Sequence, residues 1–357
     1  MTETLSPVDL AALVSLADFE APGRANMAGP AIDYVAGGSW DEVTLAENDT
    51  AWRRRRFVPR VLTDVRSVDI RGTFLGRRAA LQIGMAPMAA QGLAHPGGEL
   101  EAMRACAAAG IPYCLSTSSS RTLEDVAAAA PDAERWFQLY LVGTLAYSRS
   151  LVERAEAAGY RALVFTVDLP VLGYRDRDRR SGFALPAMPH VDGAGPAQGL
   201  QYGGLDQQHE LGLGWSTVEL VRSWTSMPVI LKGILAPEDA ALAAEFGVDG
   251  VCVSNHGARQ LDRSVATADA LPAIVDAVGG RLEVWVDGGI RRGLDVLTAL
   301  ALGADGVLVG RPLYWALAAA GAPGVERAVA ILREEIELGL ALLGAPDLAS
   351  LDRRLLA

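Results

Sequence analysis

The stretch VCVSNHGARQLD, residues 251–262, begins as an apolar run, stops at Ser254, and then crowds Asn255, His256, Arg259, Gln260 and Asp262 into eight positions. A chain that only turns a corner uses Gly, Asn or Asp. A histidine and an arginine three residues apart ask for another reason. The pattern of this stretch, a short apolar run with a polar or glycine exit, recurs from residue 80 onward. The runs are LQIGMAP (81–87), IPYCLSTS (111–118), WFQLYLV (136–142), ALVFTVD (162–168), PVILKG (228–233), VDGVCVSN (248–255), LEVWVDGG (282–289) and DGVLVGRP (305–312). Near-continuous hydrophobic strands belong to a parallel sheet covered on both faces. Between them lie helical segments such as GELEAMRACAAAG (98–110), RSLVERAEAAG (149–159), PEDAALAAEFG (237–247) and GLDVLTALALG (293–303). Each ends in glycine, the usual helix stop. Eight strand–helix units predict an α/β fold, a (β/α)8 TIM barrel over residues 81–340, in one domain spanning 1–357. Residues 1–80 read as an N-terminal helical cover. An open doubly wound sheet shares the alternation and is the competing architecture.

Composition narrows the partners. A net charge of −11 disfavours a nucleic-acid surface, while leaving room for a few buried arginines to hold an anionic small molecule. The three cysteines, Cys106, Cys114 and Cys252, match neither a disulfide framework nor a metal-ligand spacing. They favour a reduced, cytoplasmic setting. The acidic start MTETLSPVDLAALVSLADFE lacks the basic region of a signal peptide, and no run of eighteen uninterrupted apolar residues predicts a membrane span.

In a barrel the polar residues at the carboxyl ends of the strands converge on one site. Those ends offer Ala89 and Gln91 at strand 1, Ser116 and Thr117 at strand 2, Gln138 and Tyr140 at strand 3, and Thr166 and Asp168 at strand 4. Lys232 follows at strand 5, Ser254, His256 and Arg259 at strand 6, Asp287 and Arg291 at strand 7, and Gly310 and Arg311 at strand 8. DGGIRRG (287–293) and GRP (310–312) set glycines and arginines where such barrels hold a phosphate. Bare glycines let backbone N–H groups approach the anion, and arginines neutralise it. Lys232 ends an apolar strand, where its charge can steady an electron-rich ring. A phosphate-bearing heterocycle, FMN above all, uses every one of these groups. His256 then reads as a general base, Asp287 as the carboxylate that orients it, and Arg259 as a bidentate clamp for a substrate carboxylate. The fourth run ends at residue 168 and the fifth begins at 228; the excess, residues 174–215, is rich in Gly and Pro and is expected to be an active-site lid loop.

SNHGARQLD (254–262), with TVDLPVLGYRDRD (166–178), QLY (138–140), LKG (231–233), DGGIRRG, GRP and DYVAGGSWDEVTLAEN (33–48), resembles the FMN-dependent L-α-hydroxy-acid oxidase/dehydrogenase family, which includes glycolate oxidase, lactate oxidase and mandelate dehydrogenase. The resemblance implies that His256 takes a proton from the substrate with Asp287 as its partner. It implies that Arg259, Arg175 and Tyr34 hold the 2-hydroxy acid, that Tyr140 lies beside the reacting carbon, and that Asp168 supports the hydrogen bonds of the site. The flavin is expected against backbone at Pro87, Met88 and Ala89. Side chains of Ser116, Gln138, Thr166, Lys232 and Ser254 are expected to complete its ring and ribityl contacts. Asp287, Gly289, Arg291, Gly310 and Arg311 would hold the ribityl–phosphate end. No metal is implied; a homo-oligomer, a tetramer by resemblance, is.

Two departures bear on function. Where glycolate oxidases carry a tryptophan, this chain has Ser118, which is expected to enlarge the pocket and to admit a bulkier substrate, an aryl one included. The long loop is polar and lacks the apolar membrane insert of the mandelate dehydrogenases. The expected activity is therefore oxidation of an L-2-hydroxy acid to the 2-oxo acid, with O2 reduced to H2O2. A dehydrogenase with another electron acceptor, a relative acting on a peptide or pathway intermediate, and a non-catalytic flavin-binding barrel are the alternatives. Whether the base takes the hydroxyl proton or the α-proton is left open by the residues.

Overall fold

The computed structural model describes residues 8–194 and 213–357. Eight parallel strands close on themselves: β1 (Ile83–Met85), β2 (Tyr113–Ser116), β3 (Arg135–Leu139), β4 (Leu163–Thr166), β5 (Val229–Ile234), β6 (Gly250–Val253), β7 (Glu283–Val286) and β8 (Gly306–Val309). Pairing of Val307 with Ile83 joins the last strand to the first and excludes the open sheet. Helices follow the strands as the glycine stops predicted. Glu99–Ala109, for example, ends at Gly110, whose φ of +69° is open to a residue without Cβ.

Two hydrophobic layers hold the barrel. Outside, strand and helix faces share one large core. Inside, Cys114, Trp136, Val164, Ile230, Cys252, Trp285 and Leu308 fill the lumen. The indoles of Trp136 and Trp285 lie 4.3 Å apart, and their N–H groups donate to Glu134 and Glu283 at 3.0 Å each. Phe74 closes the floor edge-on to both rings. It is carried by a hairpin, Gly72–Phe74 against Arg77–Ala79, within the stretch expected to be a helical cover. The turn at Leu75 and Gly76 has positive φ at both central residues, the form that matches strand twist.

Register places chemistry at the mouth. Ser116 pairs with Gln138, and Thr166 with Lys232. Between β5 and β6 the register shifts at Gly233, a bulge next to the site. The cover contributes helices Gly29–Ala36 and Val43–Arg54. The expected lid loop, 174–215, carries two short helices, Asp176–Ser181 and Pro189–Asp192; residues 195–212 of it lie outside the described residues. The last helix, Arg311–Leu343, is long and apolar enough to cross a membrane, but its most apolar window is 72% buried in this fold and it kinks at Ala320–Gly321.

Candidate active site

A cavity opens at the carboxyl ends of the strands. Tyr34, Pro87, Met88, Ala89, Ser116, Ser118, Tyr140, Thr166, Arg175, Lys232, His256, Arg259, Asp287, Gly289, Arg291, Gly310 and Arg311 line it. Gln138, Ser254 and Asp168 stand behind this lining and act on the groups that form it.

His256 leaves β6 in a left-handed turn, with φ of +58°, +61° and +63° at His256, Gly257 and Ala258. Such backbone is costly for residues with a Cβ and persists only where neighbours enforce it. Ser254 Oγ accepts from His256 N–H (3.1 Å), Asn255 Oδ1 from Ala258 N–H (3.2 Å), and Gly257 O from Arg311 (2.6 Å). Asn255 is locked in turn by reciprocal amide bonds with Asn48 of the cover, at 2.7 and 2.9 Å. Asp262 accepts from the N–H groups of Val43 and Thr44, where a cover helix begins. The polar crowd after β6 therefore divides: His256 and Arg259 face the cavity, while Asn255, Gln260 and Asp262 fix the loop.

One expected pairing is corrected. Asp168, not Asp287, orients the histidine: His256 Nδ1 lies 2.8 Å from Asp168 Oδ1. Asp287 Oδ2 instead pairs with Lys232 Nζ at 3.1 Å, and Lys232 also donates to Ser254 Oγ at 2.8 Å. The physical reason is at Gly233. A Cβ there would stand 2.5 Å from Asp168 Cβ, so the bare glycine lets the carboxylate of the β4 exit lean across β5 toward His256. Lys232, only 4% exposed, needs a counter-ion in the interior, and Asp287 fills that role. Burial alone would strip the Lys232 proton; Asp287 and Asp168 outweigh it and hold the ammonium above its ordinary range.

Burial holds the His256 imidazolium below its ordinary value, with Asp168 pulling the other way, so the ring rests neutral at neutral pH. Asp168 is ionised and only accepts, which places the ring proton on Nδ1 and leaves the Nε2 lone pair facing Tyr140 Oη at 3.2 Å. Burial and the Asp168 charge push the Tyr140 phenol up, so it stays a donor. His256 thus presents an oriented lone pair at the cavity wall.

Four arginines, Arg175, Arg259, Arg291 and Arg311, line the same cavity. Burial and then Arg175 push Arg259 down to about 10, and burial, Arg291 and Arg259 push Arg311 down to about 9. Both remain cationic at neutral pH, in a place that calls for anions. Arg259 spends one nitrogen on Tyr34 O (2.5 Å) and Gly37 O (2.8 Å) and lies 4.7 Å from the Tyr34 ring centroid. Arg175 bonds Arg259 O through Nε at 3.2 Å. The remaining nitrogens of each fork suit a carboxylate.

At the other end a Cβ on Gly310 would meet nothing closer than 3.7 Å, so the cradle beside Arg291 and Arg311 is open to a phosphate. Thr166 Oγ1, Gln138 Nε2, Ser118 Oγ and one oxygen each of Asp168 and Asp287 are buried without a hydrogen-bond partner among the described residues. Such groups are rare and cluster where a ligand completes them. The donor set fits FMN: a cation and neutral amide and hydroxyl groups for the ring, glycines and arginines for the phosphate.

Comparison with known proteins decides the family. A model described as FMN-dependent dehydrogenase matches residues 23–357. The chain belongs to this FMN-dependent dehydrogenase family. Within the family it is 47% identical to 4-hydroxymandelate oxidase of Amycolatopsis orientalis, over 95% of this chain and 97% of that one. It is 42% identical to L-lactate oxidase of Nostoc sp., over 99% and 98%. Among solved structures, mandelate oxidase with benzoyl-formic acid superposes with a TM-score of 0.88 at 46% identity, covering 97% of this chain and 98% of that one.

Sequence reading missed part of the wall of this family member. Val35, Leu169, Leu172 and Leu185 give the cavity an apolar side, and Tyr314, which also lines it, bonds Ala90 O at 2.8 Å. Leu169 and Leu172 sit between Asp168 and Arg175, a position that could have flagged them. Val35 and Leu185 carry no such signal.

Proposed function

We propose that the protein oxidises an L-2-hydroxy acid with a side chain larger than that of glycolate, aryl favoured, to the 2-oxo acid, with O2 reduced to H2O2. The observation that carries this is the juxtaposition, in one cavity, of the oriented His256 base and the Arg259–Arg175 pair. Mere binding of a flavin needs neither. FMN, which Lys232, Gln138, Thr166, Gly310, Arg291 and Arg311 would hold, would supply the two-electron oxidation and the route from substrate to O2. The chain's own residues do the rest. Arg259 and Arg175 clamp the carboxylate and so fix the hydroxyl-bearing carbon against the base. Tyr140 donates at the same point. His256 Nε2 accepts the proton that leaves the substrate, and the Asp168 charge stabilises the resulting imidazolium. Lys232, kept charged by Asp287, offers positive charge where the ring becomes electron-rich.

The small Ser118, which lines the same cavity as Leu169, Leu172 and Leu185, supports a bulky substrate, and the similarity to proteins named for mandelate and 4-hydroxymandelate points the same way. The three cysteines are buried free thiols, which supports a reducing, cytoplasmic setting. A panel of 2-hydroxy acids scored for H2O2 release tests the reading. Mandelate-like acids should exceed glycolate. Turnover with an artificial acceptor but no H2O2 would make the protein a dehydrogenase, and no anaerobic bleaching of the flavin by any 2-hydroxy acid would end the proposal.

A further inference from the structure

Gln260 does not line the cavity, yet its carboxamide is used on three sides. Its Nε2 donates to Asp168 O at 2.9 Å and to Val171 O at 2.8 Å, and its Oε1 accepts from Gly173 N–H at 3.1 Å. All three partners belong to the chain leaving β4, whereas Gln260 belongs to the loop after β6. Close packing reinforces the seam: a Cβ on Gly173 would stand 2.4 Å from Arg259 O, the same oxygen that Arg175 Nε bonds. On one side of the seam lie Asp168 and Arg175; on the other lie His256 and Arg259.

We propose that Gln260 is a positioning residue that sets the His256–Asp168 bond, and with it the aim of the base, by stapling the backbone of residues 168–173 to the loop after β6. The inference rests on His256 being the base. An amide suits the task because two donors and an acceptor are presented in one plane. A glutamate at this position only accepts, and a lysine only donates. The side chain is 8% exposed, so water is poorly placed to replace these bonds. The groups that face the imidazole are Asp168, Lys232, Arg175 and Tyr140, and of these Asp168 is tied to Gln260 through its own carbonyl.

The test uses FMN-loaded Gln260→Leu, with anaerobic stopped-flow reduction across pH and a thermal melt. Flavin reduction should slow on the order of 10²-fold, the cost of a misplacement near 1 Å in a catalytic group. The acid limb of the rate profile should move to lower pH, because the carboxylate that favours the imidazolium has drifted. Combined with Asp168→Asn, the substitution should add little, since both act through one bond. A lowered melting temperature with the rate and the acid limb of the FMN-bound fraction unchanged would overturn the proposal. Should the leucine variant not hold FMN, Gln260→Glu keeps the acceptor for Gly173 and loses the donors, and the same readouts decide. If Asp168→Asn itself reduces flavin at the wild-type rate, the reading of the base fails; if it is slow while both Gln260 variants are fast, only the role of Gln260 fails.

Discussion

Replacing Asp168 by Asn tests the pairing that separates this site from its sequence-based reading. Asparagine keeps an oxygen to accept the Nδ1–H of His256, so geometry is preserved and charge alone is removed. The imidazolium formed as His256 takes the proton then lacks its counter-charge. For unit charges about 4 Å apart in an effective dielectric of about 20, that interaction is worth about 4 kcal/mol. Each 1.36 kcal/mol is tenfold in rate, so flavin reduction should fall by about 10³. Lys232 keeps its pairing with Asp287, so FMN should still bind. Because Asp168 raises the His256 value, its loss should also carry the acid limb to lower pH: the variant is slower but holds the base form further into acid. Anaerobic stopped-flow of the FMN-replete variant measures both. A reduction rate within about tenfold of wild type, well short of the range of a positioned general base, would refute the role of Asp168.

Asp287→Asn should behave differently, since it strands the buried Lys232 ammonium; breaking such a pair costs about 3–5 kcal/mol, and a thermal melt with flavin content should show lost stability and lost FMN. In the wild type, burial holds the His256 value below that of a free imidazole, so the acid limb of kcat/KM should lie below the ordinary histidine range, with activity lost as pH falls through it; a limb above that range would contradict the burial argument. Ser118→Trp should fill part of the cavity and shift the ratio of activities on large and small 2-hydroxy acids toward the small; an unmoved ratio would place Ser118 outside the substrate's reach. Arg259→Lys keeps charge but loses the planar fork, so inhibition by a 2-oxo acid should weaken while FMN stays bound, and unchanged inhibition would remove Arg259 from the carboxylate site.

The sequence by itself determined the barrel and the membership of the site. Apolar runs with polar exits must be buried strands, and in a closed parallel sheet every exit faces the same mouth, so His256, Arg259, Lys232 and Arg311 were brought together by topology without knowledge of any contact. What the sequence did not carry was who pairs with whom. Asp168 and Asp287 are both aspartates at strand exits, and Asp287 sits on the strand next to that of His256. The choice depends on a missing Cβ at Gly233, on the bulge beside it, and on the demand of a buried lysine for a counter-ion. These are facts of three-dimensional packing. The same holds for Gln260 and for the Asn48–Asn255 pair, which span 92 and 207 positions to their partners. Periodicity reports which side of a strand or helix is buried, because burial repeats with the backbone. A hydrogen bond between two loop side chains has no period, and only the folded distance decides it.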